Sequence, residues 1–304
     1  MPRKTIVTAV GDVMLDRRVS SAILRHGYRY PFSQCAALLR DSDITFANLE
    51  SPISSRGTAN RNKRIVFEAP PEAIKSLRYS GINIVSLANN HSLDYGAEAL
   101  GDTLGFLGKT GIRNVGLEYS QDRWNGIPIK KYDILRRNGV AFGFAAFSSI
   151  VPRGFAPSKT RPGIATTKDF AAVIRKRIRE MKSEADVAII SLHMGKEYLT
   201  GKIIKSQEMY AKEAIDAGAD AVIGHHPHVL EKIERYKGGI IFYSLGNFVF
   251  DQKESVHRNV SRSAIVKMKF SGKRLESYSV IPAVIRNRQP VPLNWEMEHV
   301  FYSK

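Results

Sequence analysis

Three imidazoles fall within four positions, at His225, His226 and His228, directly after an apolar run that ends in Gly224. A buried strand that stops at glycine and turns sharply sets such rings at the carboxyl edge of a sheet, where α/β proteins assemble their sites. Neutral imidazole is a common metal ligand. Alternation around Pro227 lets His226 and His228 address one centre. The alternative for the same residues is a polar loop whose histidines are solvated.

Four further apolar runs end in residues of ligand type. Residues 5–10 lead to Asp12, 43–47 to Glu50, 82–88 to Asn90 and His91, and 186–192 to His193. The resulting set of Asp12, Glu50, Asn90, His193, His226 and His228 mixes oxygen and nitrogen, which suits Mn, Fe or Zn better than an all-oxygen Ca or Mg site. Two ions fit this inventory better than one, because a carboxylate can bridge a pair of cations that together activate water for hydrolysis. Glu50 is the candidate bridge, with Asp12 and His228 on one ion and Asn90, His193 and His226 on the other. His91 is the candidate catalytic acid that protonates a leaving group. Its alternative is a neutral ring that bonds Asp94 and orients the loop, and the alternative for Asp12 is a helix N-cap.

The elements that must position these residues alternate along the first 230 positions. Apolar spacing predicts helices over 71–79, 97–110, 169–183 and 204–217, the second stopping at Gly111 and the fourth at Gly218. Strand followed by helix favours helical layers outside sheet over an all-β sandwich. Residues 263–285 alternate apolar and polar around Ser271-Gly272, a β-hairpin pattern closing a second sheet. No Ser/Gly-rich hinge or repeat interrupts the 304 residues, of which 43% are hydrophobic, so one large domain over 1–304 is expected, with a tail over 263–304 packed on it.

The motifs Gly11-Asp12-Val13-Met14, Asn48-Leu49-Glu50-Ser51-Pro52, Ala88-Asn89-Asn90-His91-Ser92-Leu93-Asp94, His193-Met194-Gly195, Gly224-His225-His226-Pro227-His228 and Ser244-Leu245-Gly246-Asn247-Phe248 stand in order along the chain. Together they resemble the CapA family of bacterial capsule (poly-γ-glutamate) biosynthesis proteins, which is in turn similar to the calcineurin-like metallophosphoesterases. The resemblance implies a four-layer αββα sandwich of the metallo-dependent phosphatase type with a dinuclear centre at one edge of its paired sheets. Asn90-His91 matches the phosphoesterase Asn-His pair, and His226 with His228 matches its Gly-His-x-His turn. Three positions depart from those patterns: Met14 replaces the histidine of Asp-x-His unless Asp16 substitutes for it, Glu50 stands for the bridging Asp, and Met194 stands where the capsule family usually has Trp.

The resemblance implies a metal-dependent hydrolase of a phosphoester, or of an amide in an anionic polymer, within capsule or poly-γ-glutamate metabolism. A non-catalytic poly-γ-glutamate-binding component of synthesis or export is the alternative, and capsule-synthesis membrane proteins are the expected partners. Lys and Arg number 46 against 29 Asp and Glu, for a net charge of +17, so the surface attracts polyanions. Arg56, Arg61 and Arg64 follow Glu50 and are candidates to bind an anionic substrate, unless their loop is merely a basic surface segment. Glu197 and Asn247 are further candidates lining the pocket. The charge brings no nucleic-acid recognition motif with it, so no specific nucleic-acid role is expected. The lone Cys35 excludes an internal disulfide and is expected to pack. An apolar leader or spanning segment is absent from the residues given, so the expectation is a cytoplasmic protein, or a membrane-associated one if an N-terminal anchor precedes it.

Overall fold

The computed structural model describes residues 3–166, 170–293 and 297–300, the last four and residues 170–171 by backbone alone. The chain begins with β1 (Lys4–Val13), α1 (Arg17–His26), α2 (Ala36–Arg40), β2 (Ile44–Leu49), α3 (Ala73–Ser80), β3 (Ile84–Ser86), α4 (Gly96–Thr110) and β4 (Arg113–Val115). β1 to β4 pair in parallel in sequence order. The helices between them pack through their spaced apolar residues, such as Leu100, Leu104 and Leu107 of α4, against the outer face of that sheet. Glycine at Gly111 ends α4 in the left-handed conformation, with φ at 74°.

A second sheet follows, built from β5 (Asp133–Arg137), β6 (Val140–Ser148), β7 (Val187–His193), β8 (Ala221–His225), β9 (Ile233–Tyr236) and β10 (Gly239–Phe242). Its strand order is β9-β10-β8-β7-β6-β5, with α5 (Phe170–Lys182) and α6 (Lys205–Asp216) on its outer side. The chain then returns to the first sheet through β11 (Asn247–Val249), the long hairpin β12 (Arg262–Ser271) and β13 (Arg274–Arg286), β14 (Gln289–Pro292) and β15 (Met297–Val300).

Three apolar layers lie between four structural layers, giving the αββα arrangement. One holds α1 to α4 against the first sheet, and one holds α5 and α6 against the second. The middle layer joins the sheets: Val7, Ala9, Ile44 and Phe46 face Phe142, Phe144, Ile189 and Ile223. Strand side chains alternate between faces, so the positions that continue these inward-facing series past the apolar core are Asn48 after Phe46, His193 after Ile189, and His225 after Ile223. β1 needs a correction to reach the same face. Val10 and Val13 both join the helix-side layer, which simple alternation forbids, and an irregularity in register between Ala9 and Asp12 reverses the parity and turns Asp12 inward.

The helices expected over 71–79, 97–110 and 204–217 form with ends moved by one or two residues, and the third forms at Phe170–Lys182, its expected first residue Asp169 lying outside the described residues. The strand expected over 82–88 is shorter, at Ile84–Ser86. β6 and α1 were not anticipated from the sequence. β6 is buried along its whole length, and a central strand covered on both faces carries no alternation to betray it. Cys35 is buried at the start of α2, a packing position. Residues 294–296 and 301–304 of the expected tail lie outside the described residues.

Candidate metal centre

The carboxyl ends of β1, β2, β7 and β8 meet at one edge between the two sheets. Asp12 pairs in register with Asn48 on one side and with Asn247 on the other, and His193 pairs with His225. The approach of the backbones there requires glycine twice. A Cβ on Gly11 would stand 1.9 Å from the Gly246 carbonyl oxygen, and one on Gly224 would stand 1.8 Å from that of Tyr243. His226 and His228 both have positive φ, at 97° and 61°. That costly backbone at two non-glycine residues is what aims both rings back into the edge.

Two groups of ligand-type atoms lie within 4.8 Å of one another: Asp12, Glu50 and His193 in one, and Glu197, His226 and His228 in the other. All but Glu197 are buried. The grouping differs from the expected division of ligands because imidazole has nitrogens on two edges. His193 turns Nδ1 toward the Asn48 amide, 3.4 Å away, beside the two carboxylates, and Nε2 toward Asn90 Oδ1 at 2.8 Å. His228 bridges similarly, with Nδ1 3.3 Å from Asp12 Oδ2 and Nε2 3.6 Å from Glu50 Oε1. Asp12, Glu50, Asn90, His193, His226 and His228 are therefore brought to one place, and Glu197 joins them at the exposed rim. Asp16, the possible substitute for the missing histidine, instead accepts from the Glu68 backbone N–H at 2.9 Å.

Burial sets the electrostatics of the cluster. Burial pushes the Glu50 carboxyl well above its ordinary range, and the neighbouring Asp12 charge adds to this. Asp12 is opposed by the same burial, yet hydrogen bonds from His225 and His228 hold it well below. Burial keeps His193 and His226 neutral, the latter pulled down to about 3. Glu50 Oε1 and His226 Nδ1 are buried with no hydrogen-bond partner among the described residues. Since buried polar atoms are ordinarily paired, open lone pairs on a carboxylate and an imidazole are the donor chemistry that a divalent cation fits.

Residues around the cluster fix its orientation. Asn48 donates from Nδ2 to Asp12 Oδ1 at 2.9 Å and Glu50 Oε2 at 3.0 Å, and Asn89 donates to Asn48 Oδ1 at 3.0 Å. His225 Nδ1 lies 2.9 Å from Asp12 Oδ1. Sequence reasoning gave Asn48 and Asn89 no role and counted His225 only among the three imidazoles at the sheet edge, although Asn48 stands two positions before Glu50 and the period of a strand puts both on one face. Asn247, a candidate to line the pocket, is engaged within the protein: Oδ1 faces His228 Nδ1 at 3.0 Å while Nδ2 donates to Gln252 and to the Val260 carbonyl. Such partners set a ligand's tautomer and direction.

A cavity of about 620 Å³ opens beside the cluster, lined by Asn90, His91, Glu197 and His228. His91 Nδ1 lies 2.5 Å from Asp94 Oδ2, and partly buried Lys63 binds Asp94, the Asn90 carbonyl and, at 3.2 Å, His91 Nδ1. Burial first, despite the Asp94 carboxylate, draws the His91 imidazole down to about 4. Of the three arginines expected at the substrate, Arg64 lines this cavity. Arg56 instead pairs with Asp102 and Glu98, and neither it nor Arg61 contributes to the wall. The loop folds away from the cavity at Arg56 because two acids of α4 hold it there.

Residues 6–252 match the family described as bacterial capsule synthesis protein PGA_cap. The chain belongs to that family. Among PGA_cap relatives, the capsule biosynthesis protein CapA of Bacillus anthracis is 33% identical over 295 residues, covering 95% of this chain and 70% of its own length. The PGA biosynthesis protein CapA of Bacillus subtilis is 33% identical over 285 residues, covering 93% and 72%. Among solved structures, a hypothetical protein from Thermus thermophilus aligns with TM-score 0.54 at 17% identity, over 91% of this chain and 98% of that one. A novel phosphatase from Mycoplasma pneumoniae aligns with TM-score 0.53 at 14% identity, over 93% and 95%. This PGA_cap chain thus carries the fold of the metallo-dependent phosphatases. Among the described residues no helix is long and apolar enough to cross a membrane.

Proposed function

We propose that this PGA_cap protein is a metal-dependent hydrolase acting on a phosphoester or on an amide of an anionic polymer such as poly-γ-glutamate. The observation that carries the reading is the convergence of Asp12, Glu50, Asn90, His193, His226 and His228 at one buried edge with open lone pairs on Glu50 and His226. Those residues would hold one or two divalent ions of the Mn, Fe or Zn kind, which supply Lewis acidity toward water and toward the oxygen of the scissile group.

The chain's own residues account for the rest of the chemistry. Asn48 and His225 fix Asp12, and Asn247 fixes His228, so that the ligand atoms stay in place as charge changes around them. His91 borders the cavity and directs Nδ1 at Asp94. With the ring neutral and its one proton on Nδ1, Nε2 is the atom left to take up a proton released by the attacking water and then pass it to a departing alkoxide or amine. Asp94 is itself held by Lys63 and by the Phe67 backbone N–H at 2.8 Å, so the dyad is stiff. The cationic cavity wall favours an anionic substrate over a neutral one.

A second reading rests on Met14. Where a histidine would complete the first ion's ligands, this chain has a buried thioether whose sulfur accepts from the Asp16 N–H at 3.1 Å. A weakened first site is compatible with a component that binds poly-γ-glutamate without cleaving it. The two readings separate in one experiment. Protein purified without chelator is assayed for metal content and for Mn-dependent release from phosphoesters and from poly-γ-glutamate, as wild type and as His91→Ala. Bound metal that is retained while turnover falls by about 10²-fold or more supports the hydrolase. Bound metal with no wild-type turnover on either substrate supports the binding component.

A further inference from the structure

We infer that Arg17 and Arg18, at the start of α1, form a second anion subsite in the cavity beside the metal cluster, taking a carboxylate or phosphate of the substrate that is not itself cleaved. This deepens the functional reading above and rests on it for the reacting group alone. Both arginines line the cavity that His91, Asn90 and His228 border.

Their positions are fixed by one buried carboxylate. Asp251 receives Arg17 Nη2 on Oδ1 and Arg18 Nε on Oδ2 at 3.2 Å, while its backbone carbonyl receives Arg18 Nη2. The Asp251 side chain is 4% exposed, against 38% for Arg17 and 47% for Arg18, so the acid is a root and the guanidinium groups reach solvent in the cavity. Each guanidinium carries five N–H donors. Asp251 engages one nitrogen of Arg17 and two of Arg18, which leaves donors on both for a planar or tetrahedral anion.

Two features tie this pair to the reacting end of the cavity. Arg17 lies over the Phe67 ring, 4.9 Å from its centroid, and Phe67 packs against His91 with centroids 4.2 Å apart. Arg17 also adopts φ of 53°, a left-handed backbone that a non-glycine residue avoids. Such strain recurs where a side chain must be aimed. The balance of charge points the same way. Arg17, Arg18, Lys63, Arg64 and Lys253 line the cavity against only Glu197 and Asp251. A substrate with one anionic group at the cluster and another at the arginine pair answers both halves of that surface.

The test measures binding as well as turnover. A fluorescent γ-linked glutamate oligomer is titrated at fixed ionic strength into Mn-loaded and chelator-treated 304-residue chains of wild type, Arg17→Gln, Arg18→Gln and Lys109→Gln, the last being an exposed α4 lysine that does not line the cavity. Each arginine variant is expected to lose about tenfold or more in affinity in both metal states, while Lys109→Gln stays within about twofold. Equal affinity across all four chains would overturn the subsite. If a glutamine variant fails to fold, Arg18→Lys keeps a cation against Asp251 but loses the fork; unchanged affinity in that chain also overturns the proposal. Inorganic phosphate as competitor names the ligand: displacement lost in Arg17→Gln assigns phosphate to the pair, and displacement equal in both chains assigns it the carboxylate. Absence of wild-type turnover with arginine-dependent binding intact would remove the hydrolase reading and leave this one standing.

Discussion

His91 and His226 are folded in as neutral rings, and that has a consequence for stability. Burial is the largest cause for both, drawing His91 down to about 4 and His226 to about 3; Asp94 opposes it at His91 and the neighbouring His228 reinforces it at His226. In the unfolded chain each titrates near ~6.5. Above that pH neither state takes up the proton and the fold bears no penalty. As pH falls toward 4 the unfolded chain binds protons that the fold refuses, so stability decreases, the His91 contribution reaching about 3 kcal/mol at pH 4. Denaturation of the metal-free protein between pH 7.5 and 4 should show this loss, and His91→Gln should flatten it. Parallel curves for the two chains would contradict the assignment of the acid limb to this ring. At this scale the sequence was informative about ligand types. It gave no role to Asn48 or Asn89 and set His225 only among the edge imidazoles, because their roles come from hydrogen bonds between separate segments.

The elements that carry the site owe their placement to a few backbone constraints. β1 reverses its facing between Ala9 and Asp12, and β8 passes so close to the Tyr243 carbonyl that Gly224 has no room for a side chain. Gly224→Ala is therefore expected to lower stability by about 1–3 kcal/mol and to weaken metal retention, since His225 and His226 follow it directly. Gly105→Ala is the comparison, because a Cβ on this half-buried α4 glycine meets nothing within 4 Å. Melting curves with metal analysis decide it, and equal behaviour of the two variants would remove the close approach as an explanation. Strand ends were legible because apolar runs stopping at Asp, Glu, Asn or His are rare in a core. The turn of Asp12 toward the centre was not, since an irregularity in pairing leaves no mark in the order of residues.

At the scale of the molecule, the cluster draws Asp12 and Glu50 from one sheet and His193 and His226 from the other. A cation bound there ties the two sheets together, and ligand binding to the native state alone raises stability by about 2.7 kcal/mol at a hundredfold excess over Kd. Mn or Zn should raise the melting temperature of the wild type, and chelator should lower it. His226→Ala should lose part or all of that shift, since Asp12, Glu50 and His193 remain; a full wild-type shift in that variant would show that His226 holds no ion. The sequence by itself determined the alternation of strand and helix, the identity of the metal-ligand types, the excess of positive charge and the family, because each is written in local order and composition. Only the tertiary structure decided which basic residues face the cavity. Arg56 is held aside by Asp102 and Glu98, whereas Arg17 and Arg18 are held in place by Asp251, more than two hundred residues away along the chain. The charge of an arginine is fixed by its side chain, but its direction is fixed by whichever carboxylate the fold delivers to it, and sequence order does not encode that partner.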